Sequence, residues 1–262
     1  MVFKRLRQAT GVGGPAVDTV LADSDCRPGG HLEGRVQLVG GDHPVEVTQV
    51  ALGLVTGVEV ASGDSGYETT QQFGRAHVTG AFGLDPGQRY DVPFRFEVPW
   101  ETPLTDLYGQ RLPGVTMRLR TELEVARAVD QSDLDPVSVH PLPAQERLLE
   151  ALLRLGFRFA RAGVERGHLY GVHQTLPFYQ EIEFLPAPSY AHAIDQLAVT
   201  FVTDPDRMRV VLEVDRRGGR FTEGGDAFGR FTVDHATVDR TDWAAQLDAW
   251  LRESLSRRGL LS

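Results

Sequence analysis

Gln49-Val-Ala-Leu-Gly-Leu-Val-Thr56 has a counterpart in the second half of the chain, Gln196-Leu-Ala-Val-Thr-Phe-Val-Thr203. A second, looser pair of segments, Pro93–Pro99 and Pro177–Pro186, shows the same pattern. These are alternating or continuous apolar runs bounded by Pro, Gly or Asp, as is typical of β-strands. Their return in the second half suggests two related β-domains in tandem, although convergence between buried strands would look the same.

The segment from Thr116 to Ala126 gives the clearest strand signal. Apolar residues and Thr121 alternate there with Arg118, Arg120, Glu122 and Glu124. Because successive side chains of a strand point to opposite faces, one face is expected to be buried and the other to be solvated and charged. The mixed signs of that outer face do not predict an anion site.

The length of 262 residues suits two domains of about 100–130 residues each. A polar stretch over 127–143 indicates the boundary, which predicts an N-terminal sandwich over 1–126 and a C-terminal sandwich with added helices over 137–262. Leucine spacing predicts a helix from Pro143 that Gly156 ends. Polar residues 61–75 indicate a loop. The predicted fold is all-β, with two antiparallel sandwiches.

Composition restricts the function classes. The net charge of −9 disfavours nucleic-acid and anionic-membrane binding, since both need a positive field. Cys26 is the only cysteine, so neither an intramolecular disulfide nor a cysteine-based zinc cluster can form. With no apolar segment typical of a secretory signal behind the basic N-terminus, we expect a cytoplasmic protein.

Several segments occur in a specific order and spacing along nearly the whole chain. They are Ala16–Leu21, Pro28–Gly41, Val78–Phe82, Pro93–Pro99, Ala128–Asp135, Leu152–Phe159, Leu176–Phe184 and Val211–Arg216. Each piece alone is weak, because Pro-Gly turns and alternating strands are common. Together they resemble the arrestin-like sporulation-control family of bacteria.

The resemblance implies two arrestin-like β-sandwiches joined near residues 126–140. It also implies a cytoplasmic regulator that acts through protein partners of the sporulation or cell-development machinery, with no catalytic residue and no cofactor. Self-association through sandwich edges, giving a homodimer, is a further expectation. Asp130, Asp133 and Asp135 match a stretch typical of the family and are our candidates for an interdomain polar site.

The three aspartates have other interpretations. They can cap turns in a solvated linker, or pair with arginines across a polar hinge. They can also bind a hard cation such as Ca²⁺, although their spacing lacks the pattern of an EF-hand loop.

An enzyme remains the alternative class. His168 and His173 lie near Glu165, Glu181 and Glu183 in sequence, and imidazole with carboxylate is the ligand set of a zinc site. The histidines are five residues apart, which does not place them on one helical face. A metal-dependent enzyme is therefore the rival hypothesis.

Three further features have a binding and a structural interpretation. Arg27 beside Cys26 would favour a reactive thiolate, whereas a buried thiol would be inert. Trp243 and Trp250 on the last predicted helix are weak candidates for partner binding, or they pack on their own domain. Residues 1–10 can form a basic amphipathic helix that touches a membrane weakly, as in a peripheral membrane trafficking module, or that covers the first sandwich.

Overall fold

The computed structural model describes residues 13–62, 65–126, 129–215 and 227–256. Within these residues β-strands predominate, so the prediction of a mostly antiparallel β fold is confirmed. The strands are β1 (Ala16–Leu21), β2 (Asp25–Cys26), β3 (His31–Val39), β4 (Val45–Ser62), β5 (Ser65–Thr79), β6 (Phe82–Leu84), β7 (Arg89–Glu97), β8 (Asp106–Leu107), β9 (Gln110–Arg111), β10 (Met117–Val125), β11 (Gln131–Pro136), β12 (Ser138–Val139), β13 (Arg158–Arg166), β14 (Phe178–Leu185), β15 (Gln196–Thr203), β16 (Arg207–Asp215) and β17 (Ala227–Asp234). The helices are α1 (Pro143–Arg154), α2 (Trp243–Ser256) and a 3-10 turn (Val238–Arg240).

The first half of the chain forms two layers around an apolar core. A small sheet of order β1-β3-β7 faces the β11-β10-β4 end of a large sheet, which β5 and β6 also join through β4. Strand β10 has the predicted alternation, with Met117, Leu119 and Leu123 in the core. On its outer face Arg75 of β5 binds Glu122 and Glu124, at 3.1 and 2.9 Å.

Strands β4 and β5 form a long hairpin, and the prediction of a loop over 61–75 is wrong. Residues 65–79 pair with β4 from Val50 to Ser62. Tyr67 near the outer end of β5 is 57% exposed, so this end of the strand lacks the apolar alternation that marks a half-buried strand. Backbone hydrogen bonding to β4, rather than burial, therefore gives these polar residues their extended conformation.

The second half places its five longer described strands in one antiparallel ladder, β13-β14-β15-β16-β17, while β12 pairs in parallel with β2. One face of this ladder, including Phe184, Leu197 and Val210, belongs to the main core together with α1 and α2. The second layer over this face is thus helical in the described part of the chain. The tandem arrangement of two arrestin-like sandwiches over 1–126 and 137–262 stays a prediction.

Helix α1 begins and ends where its sequence predicts. Pro143 at the first position needs no hydrogen-bond partner for its nitrogen, and the Gln145 side chain accepts a hydrogen bond from the backbone N–H of Leu142, at 2.8 Å. Gly156 adopts φ 95°, the left-handed conformation that closes a helix at low steric cost. Leu148, Leu149 and Leu152 are buried on one side.

The two halves share the large sheet. Strand β4 of the first half lies beside β13 of the second half, and the two strands pair in parallel at Glu59 and Glu165. The repeated runs noted in the sequence are the central strands β4 and β15 of this sheet. The looser pair is split, because β7 lies in the small sheet and β14 in the large one. No helix among the described residues is long and apolar enough to cross a membrane.

Candidate functional site

An apolar cavity of about 200 Å³ lies where the two halves meet. We call it the junction pocket. The β8–β9 hairpin and the residue after it form one wall, and α1 with β13 and β14 form the other. The lining residues are Leu107, Tyr108, Gln110, Arg111, Leu112, Leu149, Leu153, Phe159 and Phe184.

Tyr108 enters this pocket from a tight turn. The hairpin loop has two residues, Tyr108 at φ 53° and Gly109 at φ 73°. Such two-residue loops with positive φ at both positions favour Asn-Gly or Gly-Gly, because a bulky side chain is strained there. Backbone strain at one position costs on the order of 1–3 kcal/mol and concentrates at functional sites. The ring is 48% exposed, so burial offsets only part of this cost.

Polar contacts fix the hairpin beneath the ring. The buried carboxylate of Asp106 accepts a hydrogen bond from the N–H of Gly109, at 3.1 Å, which closes the turn. Its other close neighbour is the ring of His140, 3.2 Å away, and His140 also lies 3.6 Å from Asp25. The position of Tyr108 is therefore linked to the segment that leads into α1.

The phenol of Tyr108 stays neutral at physiological pH. Burial, followed by the charges of Glu150 and Glu146 on α1, raises its pKa to about 12. The pocket therefore presents a mainly apolar wall with a neutral phenol, and Gln110 and Arg111 are its polar members.

A polar seam beside the pocket fastens the first half to the second. The Gln180 side chain donates to the carbonyl of Leu104 and accepts from its N–H, both at 2.8 Å. The Glu101 carboxylate accepts from the N–H groups of Thr175 and Leu176, at 2.8–2.9 Å.

The same seam continues at Trp100. The hydroxyl of Thr203 donates to its carbonyl oxygen, and its ring stacks on His235 with centroids 6.2 Å apart. A second cavity, of about 220 Å³, lies beside this stack, at the start of α1. No sequence pattern marks Tyr108, Gln180 or Glu101 as site residues. The only signal was the Tyr108-Gly109 dipeptide, a weak turn motif.

The structure places the three aspartates on or beside β11, within the large sheet. Asp133 accepts a hydrogen bond from the N–H of Thr19 on β1, at 2.8 Å, and Asp130 accepts one from the N–H of Val125, at 3.2 Å. Asp135 is buried and pairs with Leu119. Asp133 thus links the edges of the two sheets of the first half, and the interdomain role stays a prediction.

Strand β11 is the end strand of the large sheet's order. Asp133 and Asp135 lie on its core-facing side, opposite Thr121 and Leu119. Inward-pointing charges on an edge strand disfavour pairing with another chain. A homodimer through sheet edges stays a prediction, and this edge is a poor place for it.

The two tryptophans of α2 pack on their own half. Trp243 is 6% exposed, stacks on Phe231, and donates from Nε1 to the carbonyl of Val238 at 2.8 Å. The half-buried ring of Trp250 lies over Gly229, where an added Cβ would come within 1.8 Å of it. A partner therefore cannot reach the ring of Trp243 in this conformation.

The His/Glu cluster divides into two parts. Glu165, Glu181 and Glu183 share one face of the β13–β14 pair, whereas His168 and His173 are exposed in the loop between these strands. Gln174 organises that loop through Nε2, which donates to the carbonyls of Gly167, Leu176 and Phe178. Across the residues that the structure describes, no group of three His, Cys, Asp or Glu side chains could hold a metal ion.

Cys26 is buried, and its thiol is held in the protonated form. Burial, followed by the charges of Asp25 and Asp23, raises its pKa to about 12. The reactive thiolate is therefore not favoured. The expected amphipathic helix of residues 1–10 lies outside the described residues.

Comparison with known proteins places this chain in a family. The family model of the SpoOM protein matches residues 3–218. The chain belongs to this family. The sporulation-control protein spo0M of Bacillus subtilis (strain 168) is 32% identical over 216 residues, which cover 82% of this chain and 81% of that protein.

A solved structure agrees with this assignment. The crystal structure of Spo0M, sporulation control protein, from Bacillus subtilis superposes with a TM-score of 0.81 at 27% identity. The match covers 93% of this chain and 100% of that one. The family resemblance inferred from the sequence is thereby confirmed.

Proposed function

We propose that this chain is a non-enzymatic, cytoplasmic regulator of sporulation or cell development that binds a protein partner at the junction pocket. The chain belongs to a family whose Bacillus subtilis relative is named for sporulation control, and this membership supports a role in sporulation. The observation that carries the mechanism is the apolar cavity formed by both halves, with the strained and half-exposed Tyr108 in its wall.

The size and chemistry of the pocket favour one occupant. An engineered cavity of about 150 Å³ lined by Leu, Ile and Phe holds a benzene molecule. A pocket of about 200 Å³ whose lining is mainly Leu and Phe therefore accommodates one leucine or phenylalanine side chain of a partner. Apolar and aromatic side chains that fill a dry pocket supply much of the binding energy in such contacts.

Two of the side chains that line the pocket are partly exposed to solvent. Leu153 of α1 is 42% exposed, and Tyr108 lies across from it in the opposite wall. Because the two walls come from different halves, an inserted side chain would contact both. Binding there would stabilise one arrangement of the halves, which is a direct route from partner binding to regulation.

Site-specific photo-crosslinking in the native cell tests the proposal. A benzophenone amino acid replaces Leu153 in one variant and Leu185 in the matched control. Leu185 is 41% exposed but does not line the pocket. We expect one protein to crosslink at position 153 and not at 185 during early development, and its deletion to alter sporulation. Equal crosslinking at both positions, or none at 153, would overturn the proposal.

A further inference from the structure

The rung between β4 and β13 brings two carboxyl groups together. Glu59 and Glu165 are paired, and the charge of Glu59 acts on the carboxyl group of Glu165. Both carboxyl groups lie near Gly163, because Oε1 of Glu59 and Oε1 of Glu165 are 3.5 and 3.8 Å from the position that a Cβ on this residue would take. A hydrogen bond between two carboxyl groups requires a proton on one of them.

The same face of the sheet carries more carboxylates. Glu181 pairs with Gly163, and Glu183 pairs with Ala198, which in turn pairs with Glu213. Paired residues of neighbouring strands point to the same face, so these side chains adjoin the Glu59–Glu165 contact. We call Glu59, Glu165, Glu181, Glu183 and Glu213 the carboxyl cluster. It spans both halves of the chain.

Arg161 is the cation that acts on this cluster. Its guanidinium binds Glu183 at 2.6–2.7 Å, and Glu183 is 5% exposed. On the same face, Arg209 lies 3.5 Å from Asp204, and Arg230 lies 5.6 Å from the ring centroid of Tyr170. Glu68 of β5 adds a further carboxylate, since it pairs with Glu59.

Protonation of the cluster is favoured by its surroundings. Burial, followed by the charge of Glu59, raises the pKa of Glu165. Burial, followed by the charges of Glu213, Glu165 and Glu183, raises the pKa of Glu181 to about 7. Within the cluster, Glu181 therefore exchanges a proton between pH 5 and 8, where ordinary glutamates stay ionised.

We propose that the carboxyl cluster is a proton-operated clasp between the outer part of the β4–β5 hairpin and β13. In the protonated state a carboxyl–carboxyl hydrogen bond holds the hairpin against β13. In the deprotonated state repulsion between the carboxylates releases it. This regulation goes beyond the proposed partner binding and does not depend on it, because the junction pocket is lined by other residues.

Amide hydrogen exchange of the purified full chain tests the clasp. Protection factors, corrected for the intrinsic effect of pH, are measured between pH 5.5 and 8 for peptides covering 57–62 and 158–166. We expect protection in the wild type to fall about tenfold over this range. The double variant Glu59→Gln with Glu165→Gln should keep its protection at pH 8, because two amides can hydrogen-bond without a titrating proton.

Controls separate the clasp from general effects of charge. Glu97→Gln, an exposed position on β7, should behave like the wild type. Arg161→Gln should move the release to a higher pH, because the cation that lowers the pKa of Glu165 and Glu181 is lost. Protection independent of pH in the wild type, or equal loss of protection in the double glutamine variant, would overturn the proposal.

Discussion

Gln180→Met tests whether the polar seam holds the two halves together. The methionine keeps the length of the side chain but removes both hydrogen bonds to the backbone of Leu104. Leu104 is 1% exposed, so water cannot easily replace the lost partners. A typical hydrogen bond contributes about 0.5–1.5 kcal/mol, and each buried backbone group left without a partner costs about 1–3 kcal/mol.

Two such groups lose their partner in Gln180→Met. Relaxation and the added apolar contact of the methionine recover part of the loss, so we expect the free energy of unfolding to drop by about 2–4 kcal/mol. Urea unfolding at pH 7, followed by circular dichroism, measures this change. The denaturant slope should stay constant, because the surface exposed on unfolding is the same.

Gln246→Met is the matched control, because Gln246 is exposed on α2. A surface change of this kind should alter stability by less than about 0.5 kcal/mol. If Gln180→Met proves equally harmless, the two hydrogen bonds do not hold the seam and the reasoning fails.

Four further outcomes are expected. Trp243→Ala should cost about 3–5 kcal/mol of stability in thermal or urea unfolding, because it empties a buried site; a loss below about 1 kcal/mol would contradict the packing. Asp133→Ala should cost about 1–2 kcal/mol, because the N–H of Thr19 loses its acceptor, and a neutral effect would remove its structural role. Native Cys26 should resist iodoacetamide at pH 8 and react after denaturation, since its thiol has a pKa of about 12; rapid native alkylation would refute this. The pKa of Glu181 is raised from 4.5 to about 7, so the folded state holds this proton more tightly and stability falls as pH rises from about 5 to 8. Glu181→Gln should reduce the loss of unfolding free energy between pH 5 and 8, by up to about 3 kcal/mol at pH 8. If the variant loses as much stability as the wild type over this range, other groups cause the loss.

Strands with a regular apolar pattern were predictable from the sequence. The alternation in β10 and the apolar run in β4 follow from burial on one or both faces, and the structure places them where the sequence indicates. The exposed outer part of β5 has no such pattern, because both of its faces meet solvent. Pairing with β4 determines its conformation, and pairing leaves no periodic signal.

Helices were predictable for the same physical reason. The leucines of α1 recur at helical spacing, and Gly156 ends the helix. The apolar stripe of α2 left two interpretations of Trp243, partner binding and packing on its own domain. The stacking of Trp243 on Phe231 favours packing. The order of the five strands that α1 and α2 cover depends on long-range pairing that spacing does not encode.

Candidate sites were harder to predict, because their contacts connect distant parts of the chain. Asp133 binds the N–H of Thr19, which is 114 residues away, and no local pattern links the two. The junction pocket combines Tyr108 with Phe184, and the seam combines Leu104 with Gln180. The sequence shows which glutamates are close along the chain. Only the register of β13 against β4 reveals that Glu59 lies beside Glu165.

Complementation in the native host tests the central claim most directly. The gene is deleted, and the wild type, Leu153→Trp or Leu185→Trp is expressed at matched levels while heat-resistant spores are counted. The account predicts that deletion changes the spore frequency, that the wild type and Leu185→Trp restore it, and that Leu153→Trp does not, because the indole fills the junction pocket. An unchanged spore frequency after deletion, or full restoration by Leu153→Trp, would contradict the account.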